Sequence, residues 1–529
     1  MTSPTNQESD SSPQVTPTKP IRWWPAWIIL LAAAGAVVWI WLNYGRQRQD
    51  KNVAIFMVGF FTFVLLLLWA IFLSRMRWKF RFTLLGTLVG LMLIAKVLFR
   101  VHGVTGDFVP ILQWRWSRSA WVSPDSRAKP GVVPGALNEF TNDYPQFMGP
   151  NRNGTVPQLP LARDWTAQPP ERLWRQPVGP GWSGFAVAGN RAVTQEQRGE
   201  NETIDCYDLL SGAPVWSYGY PAHFQSPLAG EGPRATPTIA GNRVCALGAN
   251  GILNCLDLET GKPVWSKNIA QDNKAQVNQW GMSCSPLVVD DLVVVEAGGG
   301  NNRSLVAYRA ATGDFVWGSG NDDAGYSSPF VADLAGIRQI VIFNSSSVSA
   351  HDPATGSNLW SYPRPSGNPN VSLPVVLPGS RLLVSTGYGV GSELLQIRKA
   401  DSGDRLGAYR IWKSIRLKAK FTDVIYLGGF LYGLDDGIMV CLDAATGEQK
   451  WKEGRYGHGQ EILAGDLLLV SAESGEMILL DPNPQASREL TRFSALSGKT
   501  WNPPALASRY LLVRNDKEAA CYRLPLAKP

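Results

Sequence analysis

The residues of this chain best placed to hold a ligand are Trp182, Arg234, Tyr326, Asp423, His458, Gln460, Trp501 and Asn502. They sit at corresponding points of a recurring pattern. Short apolar runs carry an anchoring proline at Pro237, Pro286, Pro329, Pro374 and Pro504. Three residues before each anchor or its equivalent stand Trp182, Arg234, Ser283, Tyr326, Val371, Phe421, His458 and Trp501. One residue before it stand Thr236, Ser285, Ser328, Asp423 and Gln460. If these runs are the innermost strands around a common axis, both sets ring one mouth, and the links between blades and the loops between second and third strands add Gln195, Glu196, Arg198, Lys420, Asp435, Asp436, Glu473, Asn502 and Asp516. Aromatic walls around a guanidinium, an imidazole, a carboxylate and amides suit the binding of a polar ligand. A plainer reading stands beside it: a solvated channel mouth with Trp filling space, and His458 as a structural hydrogen-bonding group. Asp435-Asp436-Gly437 reads as a hairpin turn ahead of a metal site. No catalytic residue and no metal ligand is assigned.

Such rings require a repeat, and the chain has one. DLLSGAPVW (208–216), DLETGKPVW (257–265), RAATGDFVW (309–317), DPATGSNLW (352–360) and DAATGEQKW (443–451) share a turn and a tryptophan. With Gly403 included, the turn glycines recur at intervals of 43–52 residues. That period, with short alternating runs punctuated by Gly and Asn, predicts four-stranded propeller blades. In each turn Asp bonds the turn backbone, Gly supplies positive φ, and Trp fills the gap between neighbouring blades. Fourth strands are counted at Trp174, Trp216, Trp265, Trp317, Trp360 and Trp451, with degenerate versions at 401–410 and 487–495. Eight blades follow. Residues 172–178 lack preceding strands and 500–524 lack a fourth, so the two ends should complete one blade and close the ring.

The repeated Asp/Arg, Thr/Ser-Gly and Trp pattern over about residues 145–525 resembles the PQQ-like eight-bladed propellers, the family of quinoprotein dehydrogenase-like and BamB-like chains. QFMGPNRNG, GWSGFAVAG, GPRATPTIAG, GRYGHGQ and GKTWNPPALA look like a membrane-anchored bacterial subgroup of PQQ-repeat proteins. The resemblance implies, for the dehydrogenases, a quinone over a Trp floor beneath a vicinal disulfide, a calcium held by Glu, Asn and Asp, and an Asp base. This chain has no Cys-Cys pair and no CxxCH. PQQ is therefore a cofactor that only the resemblance offers, and a PQQ-dependent dehydrogenase-like oxidoreductase is the alternative reading. A binding or scaffold module comes first.

Three apolar runs precede the repeat, at 24–42, 53–73 and 83–98, each near the roughly 20 residues that cross a bilayer. Tryptophans at 23, 24, 27, 39 and 41 suit an interfacial belt. Lys19, Arg22, Arg75, Arg77, Lys79 and Arg81 on one side outnumber Arg46, Arg48, Lys51 and Arg100 on the other. The expected orientation places the N-terminus in the cytoplasm and everything after Arg100 outside the cytoplasmic (inner) membrane, on the periplasmic side. The expected domains are a disordered tail (1–20), the three-helix anchor (21–100), a juxtamembrane linker (101–145) and the propeller (146–529). QWRWSRSAW (113–121) suits either a membrane surface or an extended spacer, and PGVVPG (130–135) reads as linker.

Charged residues make up 18% of the chain, the net charge is +7, and no basic block of five or six occurs, so no nucleic-acid partner is suggested. The six cysteines lack zinc spacing and read as buried apolar residues, with Cys245 and Cys255 a candidate cross-strand disulfide. The expectation is an all-β eight-bladed propeller on three transmembrane helices. It would bind a ligand, a protein or an envelope polymer.

Overall fold

The computed structural model describes residues 20–45, 47–116, 143–365, 367–400, 403 and 405–527. The tail expected to be disordered, apart from Pro20, and PGVVPG fall outside the described residues, as does the second half of QWRWSRSAW. Two compact units are present. One comprises residues up to 101 with 107–116, and the other comprises 102–106 with the chain from 117 onward.

The first unit contains helices α1 (Trp24–Asn43), α2 (Arg48–Leu68, continued by a π-helical turn Trp69–Leu73) and α3 (Trp78–Leu98). At 1.5 Å per residue each is about 30 Å or more in length, enough to cross a bilayer, and all three are apolar enough to do so. Large side chains such as Leu31, Leu42 and Phe72 are exposed, as a lipid-facing surface requires. Both α2 and α3 start five residues before the apolar run, so Asp50, Lys51, Lys79 and Arg81 lie in their first turns. A helix has to extend past the hydrocarbon layer to reach water, so its first turn tolerates charge. Trp69 Nε1 donates to the Arg22 carbonyl at 2.9 Å, and its ring meets Trp23 at 5.5 Å.

The second unit is the propeller, with eight four-stranded antiparallel blades. Blade 1 starts at Ala186–Ala188, blade 2 at Thr238–Ala240, blade 3 at Leu287–Val289 and blade 4 at Phe330–Leu334. Blades 5 to 8 start at Val375–Leu377, Val424–Leu427, Gln460–Ala464 and Ala505–Ala507. Glu171–Pro177 is the fourth strand of blade 8, paired with Glu518–Arg523, so the ends close the ring as the sequence requires. The middle strands read as near-continuous apolar runs because they are covered on both faces: Leu467–Ser471 and Tyr510–Arg514 are buried throughout.

The repeated turn works as an inter-blade fastener. Asp257 Oδ1 accepts from the Thr260 N–H and hydroxyl at 2.9 and 2.7 Å, and Asp208 and Asp352 do the same with Ser211 and Thr355. Gly261 has φ +68°, and a Cβ there would lie 2.6 Å from the Trp216 ring. Trp216 Nε1 in turn donates to Leu258 O. The tryptophan of one blade thus docks on the turn of the next, and Trp174, Trp265, Trp317 and Trp451 follow the same rule.

Blade 5 departs from this rule in two ways. Its third strand runs on to Lys399, its fourth is Leu406–Ser414, and its docking residue is Trp412, which donates to Ala444 O and lies against Gly447. The degenerate fourth strand therefore sits further along than 401–410. Trp360 of blade 4 bonds Gln339 of its own blade.

Two further features were outside the sequence expectation. Residues 143–165 strap the propeller: Tyr144 bridges Val187, and Thr155–Val156 pairs parallel with the inner strand of blade 7. Between them Arg152, from QFMGPNRNG, is buried on the axis. It donates to the carbonyls of Ser285, Pro329 (both 2.9 Å) and Pro286, and to Thr238 Oγ1. One guanidinium therefore ties blades 2, 3 and 4, and burial lowers it to about 10. Cys245 and Cys255 do face each other across strands, but as free thiols, and all six cysteines are buried and unbridged.

Candidate functional site

The links into each blade and the loops between second and third strands converge on one face. There the ring three residues before the anchors divides into two groups. Trp182, Phe421, His458 and Trp501 form a continuous arc, with Trp182–Trp501 at 5.0 Å, Trp501–Phe421 at 4.9 Å and Phe421–His458 at 5.2 Å. Arg234 and Tyr326 belong to the second group. The Arg234 guanidinium stacks on Phe224 at 4.8 Å and donates to the Trp280, Glu231 and Gly230 carbonyls at 2.8–3.0 Å. Burial lowers it to about 10. Trp280 meets Tyr326 at 5.5 Å, and both line a cavity of about 660 Å³ with Lys274, Asn278, Asp323 and Asn368.

The ring one residue before the anchors stitches blade to blade. Gln460 Nε2 donates to the Phe421 and Trp501 carbonyls, and Asn502, two residues before its anchor, acts likewise through Nδ2 on the Gly181 and Ser183 carbonyls. Asp423 Oδ1 accepts the Leu373 N–H at 2.6 Å. Thr236 and Ser285 continue the belt through their hydroxyls. Burial pushes the Asp423 carboxyl up to about 7 despite that bond. Beside it Glu461 is fully buried with no hydrogen-bond partner on either oxygen among the described residues, and burial raises it well above the ordinary carboxylate range. Asp423 also borders a second cavity, of about 280 Å³, with Arg152, Met148 and Tyr426.

The aromatic arc is occupied by the chain's own residues 102–106, a use the sequence does not announce. His102–Val104 are the end of the strand Phe99–Val104, and Gly106 lies in the turn that follows. Gly106 N–H donates to Glu473 Oε1 at 2.7 Å, and Gly106 C=O accepts from Lys420 Nζ at 2.7 Å. His102 Nε2 lies 2.6 Å from Asp516 Oδ2, and Lys499 Nζ lies 3.4 Å from Val104 O. Gly106 approaches so closely that an added Cβ would sit 2.8 Å from His458 Cβ, with the ring carbons nearer still.

Glu473 is the hub of this arrangement, since it also accepts from Trp501 Nε1 at 2.9 Å and from His458 N–H at 3.1 Å. Burial lowers the Lys499 amine to about 8, and it lies over both indoles, 4.1 Å from Trp501 and 4.7 Å from Trp182. Burial pushes Asp516 up, but its bond to His102 and the nearby lysines hold it below the ordinary range. The sequence reading missed His102, Gly106, Trp280 and Lys499 as members of this face. Trp280 had a signal, the long link between blades 2 and 3. A five-residue contact from beyond the repeat has none.

The quinone implied by the dehydrogenase resemblance needs a flat slot against an indole. Here the arc's rings pack on one another at tilts of 41–53°, and Lys499 covers both indole faces. The residues of this mouth do not fit it. Among the described residues no group of three or more His, Cys, Asp and Glu is arranged to hold a metal ion.

The profile of the family described as outer membrane protein assembly factor BamB matches residues 167–275 and 200–453, together more than half of the chain. Among solved structures, quinohemoprotein alcohol dehydrogenase from Comamonas testosteroni is similar at 12% identity and TM-score 0.54, over 74% of this chain and 82% of that one. BamB from Moraxella catarrhalis is similar at 16% identity and TM-score 0.49, over 68% of this chain and 99% of that one. The dehydrogenase likeness, at such identity, speaks for the propeller fold alone. No curated protein matches the chain.

Proposed function

Because this chain belongs to the BamB family of propellers, we propose that it is a membrane-anchored binding module of the cell envelope. Its three apolar helices would hold it in the cytoplasmic membrane, with the propeller displayed on the periplasmic side, as the distribution of Lys and Arg favours. In this reading the working surface is the mouth face. The observation that carries it is the convergence there of an aromatic arc (Trp182, Phe421, Trp501) with Lys420, Lys499, Glu473 and Asp516. Buried aromatics flanked by charges are the composition of binding hot spots, and nothing in packing eight blades together calls for four ionisable groups at one mouth. Anchorage in its own membrane separates this chain from a part played directly at an outer membrane.

The test is cross-linking and capture from detergent-solubilised membranes, comparing wild type with Trp501→Ala and with Arg234→Ala/His458→Ala. The reading expects the mouth variants to lose captured partners that wild type retains. Identical capture by all three would place the binding surface elsewhere.

A further inference from the structure

We infer that the mouth is a receptor for a polypeptide strand-to-turn segment carrying a glycine, and that residues 102–106 of the chain itself occupy it at rest. This rests on the mouth being the binding surface, and it names the partner class and the control of that surface. Three of the contacts to the segment go to main-chain atoms: Glu473 to the Gly106 N–H, Lys420 to the Gly106 carbonyl and Lys499 to the Val104 carbonyl. A carboxylate that takes an N–H and ammonium groups that take carbonyls recognise any polypeptide backbone of suitable shape, whatever its side chains. Two contacts read sequence. His458 leaves no room for a Cβ at position 106, and Asp516 takes the ring of His102 four residues earlier. The preferred occupant is therefore a segment with a basic or imidazole side chain four residues before a glycine, extended through the first and turning at the second.

The same contacts make the segment a built-in competitor. A tethered occupant competes at an effective concentration on the order of millimolar, so an external segment binds weakly until the internal one leaves. A partner's loop would then engage in proportion to its affinity over that of residues 102–106, so the resting chain would be selective without being sealed.

The experiment uses the full chain in detergent micelles and a fluorescein-labelled synthetic peptide of residues 99–114, read by polarisation. Gly106→Val evicts the internal segment by collision with His458 while leaving the mouth intact. We expect it to bind the peptide at least tenfold more tightly than wild type. Adding Glu473→Gln to that variant should reverse the gain, and a peptide carrying the same Gly106→Val change should bind neither protein. A Gly106→Val protein that is folded by its unfolding transition yet binds the peptide no better than wild type overturns the inference. Wild type supplies a second readout that needs no variant: excess unlabelled peptide should accelerate hydrogen exchange at the Gly106 amide by displacing the segment. Unchanged exchange at saturating peptide also overturns it. If peptide binding fails while Trp501→Ala still abolishes partner capture, only the polypeptide assignment falls and the mouth remains the binding surface.

Discussion

Replacing Asp423 by Asn should change how the propeller's stability depends on pH. Asp423 is 5% exposed, and burial raises its carboxyl from 3.8 to about 7. A group whose folded value lies above its unfolded one contributes stability that is complete below about pH 4 and is lost as pH rises through about 7. Three units at about 1.4 kcal/mol each give a loss on the order of 4 kcal/mol between pH 4 and pH 8. Asparagine is neutral throughout, and its carbonyl can accept the Leu373 N–H that Asp423 takes at 2.6 Å. Asp423→Asn should therefore match wild type near pH 4 and exceed it by up to about 4 kcal/mol at pH 8. Part of the slope will survive in the variant, because Glu461 is raised by its own burial and only secondarily by Asp423. The assay is urea unfolding of the full chain in micelles, followed by tryptophan fluorescence at four pH values from 4 to 8. Parallel curves for the two proteins across that range would refute the reasoning.

Other consequences concern the fastener, the axis and the topology. Gly261→Ala should cost roughly 2–4 kcal/mol, the left-handed φ plus collision with Trp216. Gly241→Ala, at φ +54° with nothing within 4 Å, should cost only the conformational part, about 1–2 kcal/mol, in the same urea titration. Arg152→Met takes the guanidinium from the buried Ser285 and Pro329 carbonyls, while Pro286 keeps the Thr238 hydroxyl, and should lower stability by about 2–3 kcal/mol, read as a fall in the denaturation midpoint. A reporter fused after residue 529 should be active only when it is one that works outside the cytoplasm, and activity of a cytoplasm-only reporter would reverse the orientation.

Much of the fold is legible because a propeller writes its local rules repeatedly. DLETGKPVW contains the Asx turn, the positive-φ glycine and the docking tryptophan within nine residues, and eight-fold geometry follows from local pieces. Ring closure is legible too, because an unpaired strand at each end has one partner available. The mouth is only half legible. Alignment on the inner strands brings Trp182, Phe421, His458 and Trp501 to one arc, but it does not reveal that Gln460, Asn502 and Asp423 spend their hydrogen bonds stitching blades. Nor does it find Arg152 or Gly106. Each acts through long-range contacts, Arg152 on acceptors in three blades and Gly106 on Glu473 and Lys420, and carries no periodic signal. Blade 5 shows the limit of the repeat itself, since its docking Trp412 lies beyond the spacing that locates the others.

The seating of residues 102–106 in the mouth is tested most directly by a double cysteine variant, Gly106→Cys with His458→Cys. A Cβ at position 106 lies 2.8 Å from His458 Cβ, and a relaxation of about 1 Å reaches the usual Cβ separation of a disulfide, near 3.8 Å. Removing the imidazole supplies the space for that shift. With mild oxidation of the full-length protein in micelles, mass spectrometry of non-reduced peptides should find the 106–458 cross-link in most molecules, and excess peptide of residues 99–114 should suppress it. Two cysteines that remain free at equilibrium under oxidant, in a folded protein without added peptide, would contradict the occupied mouth.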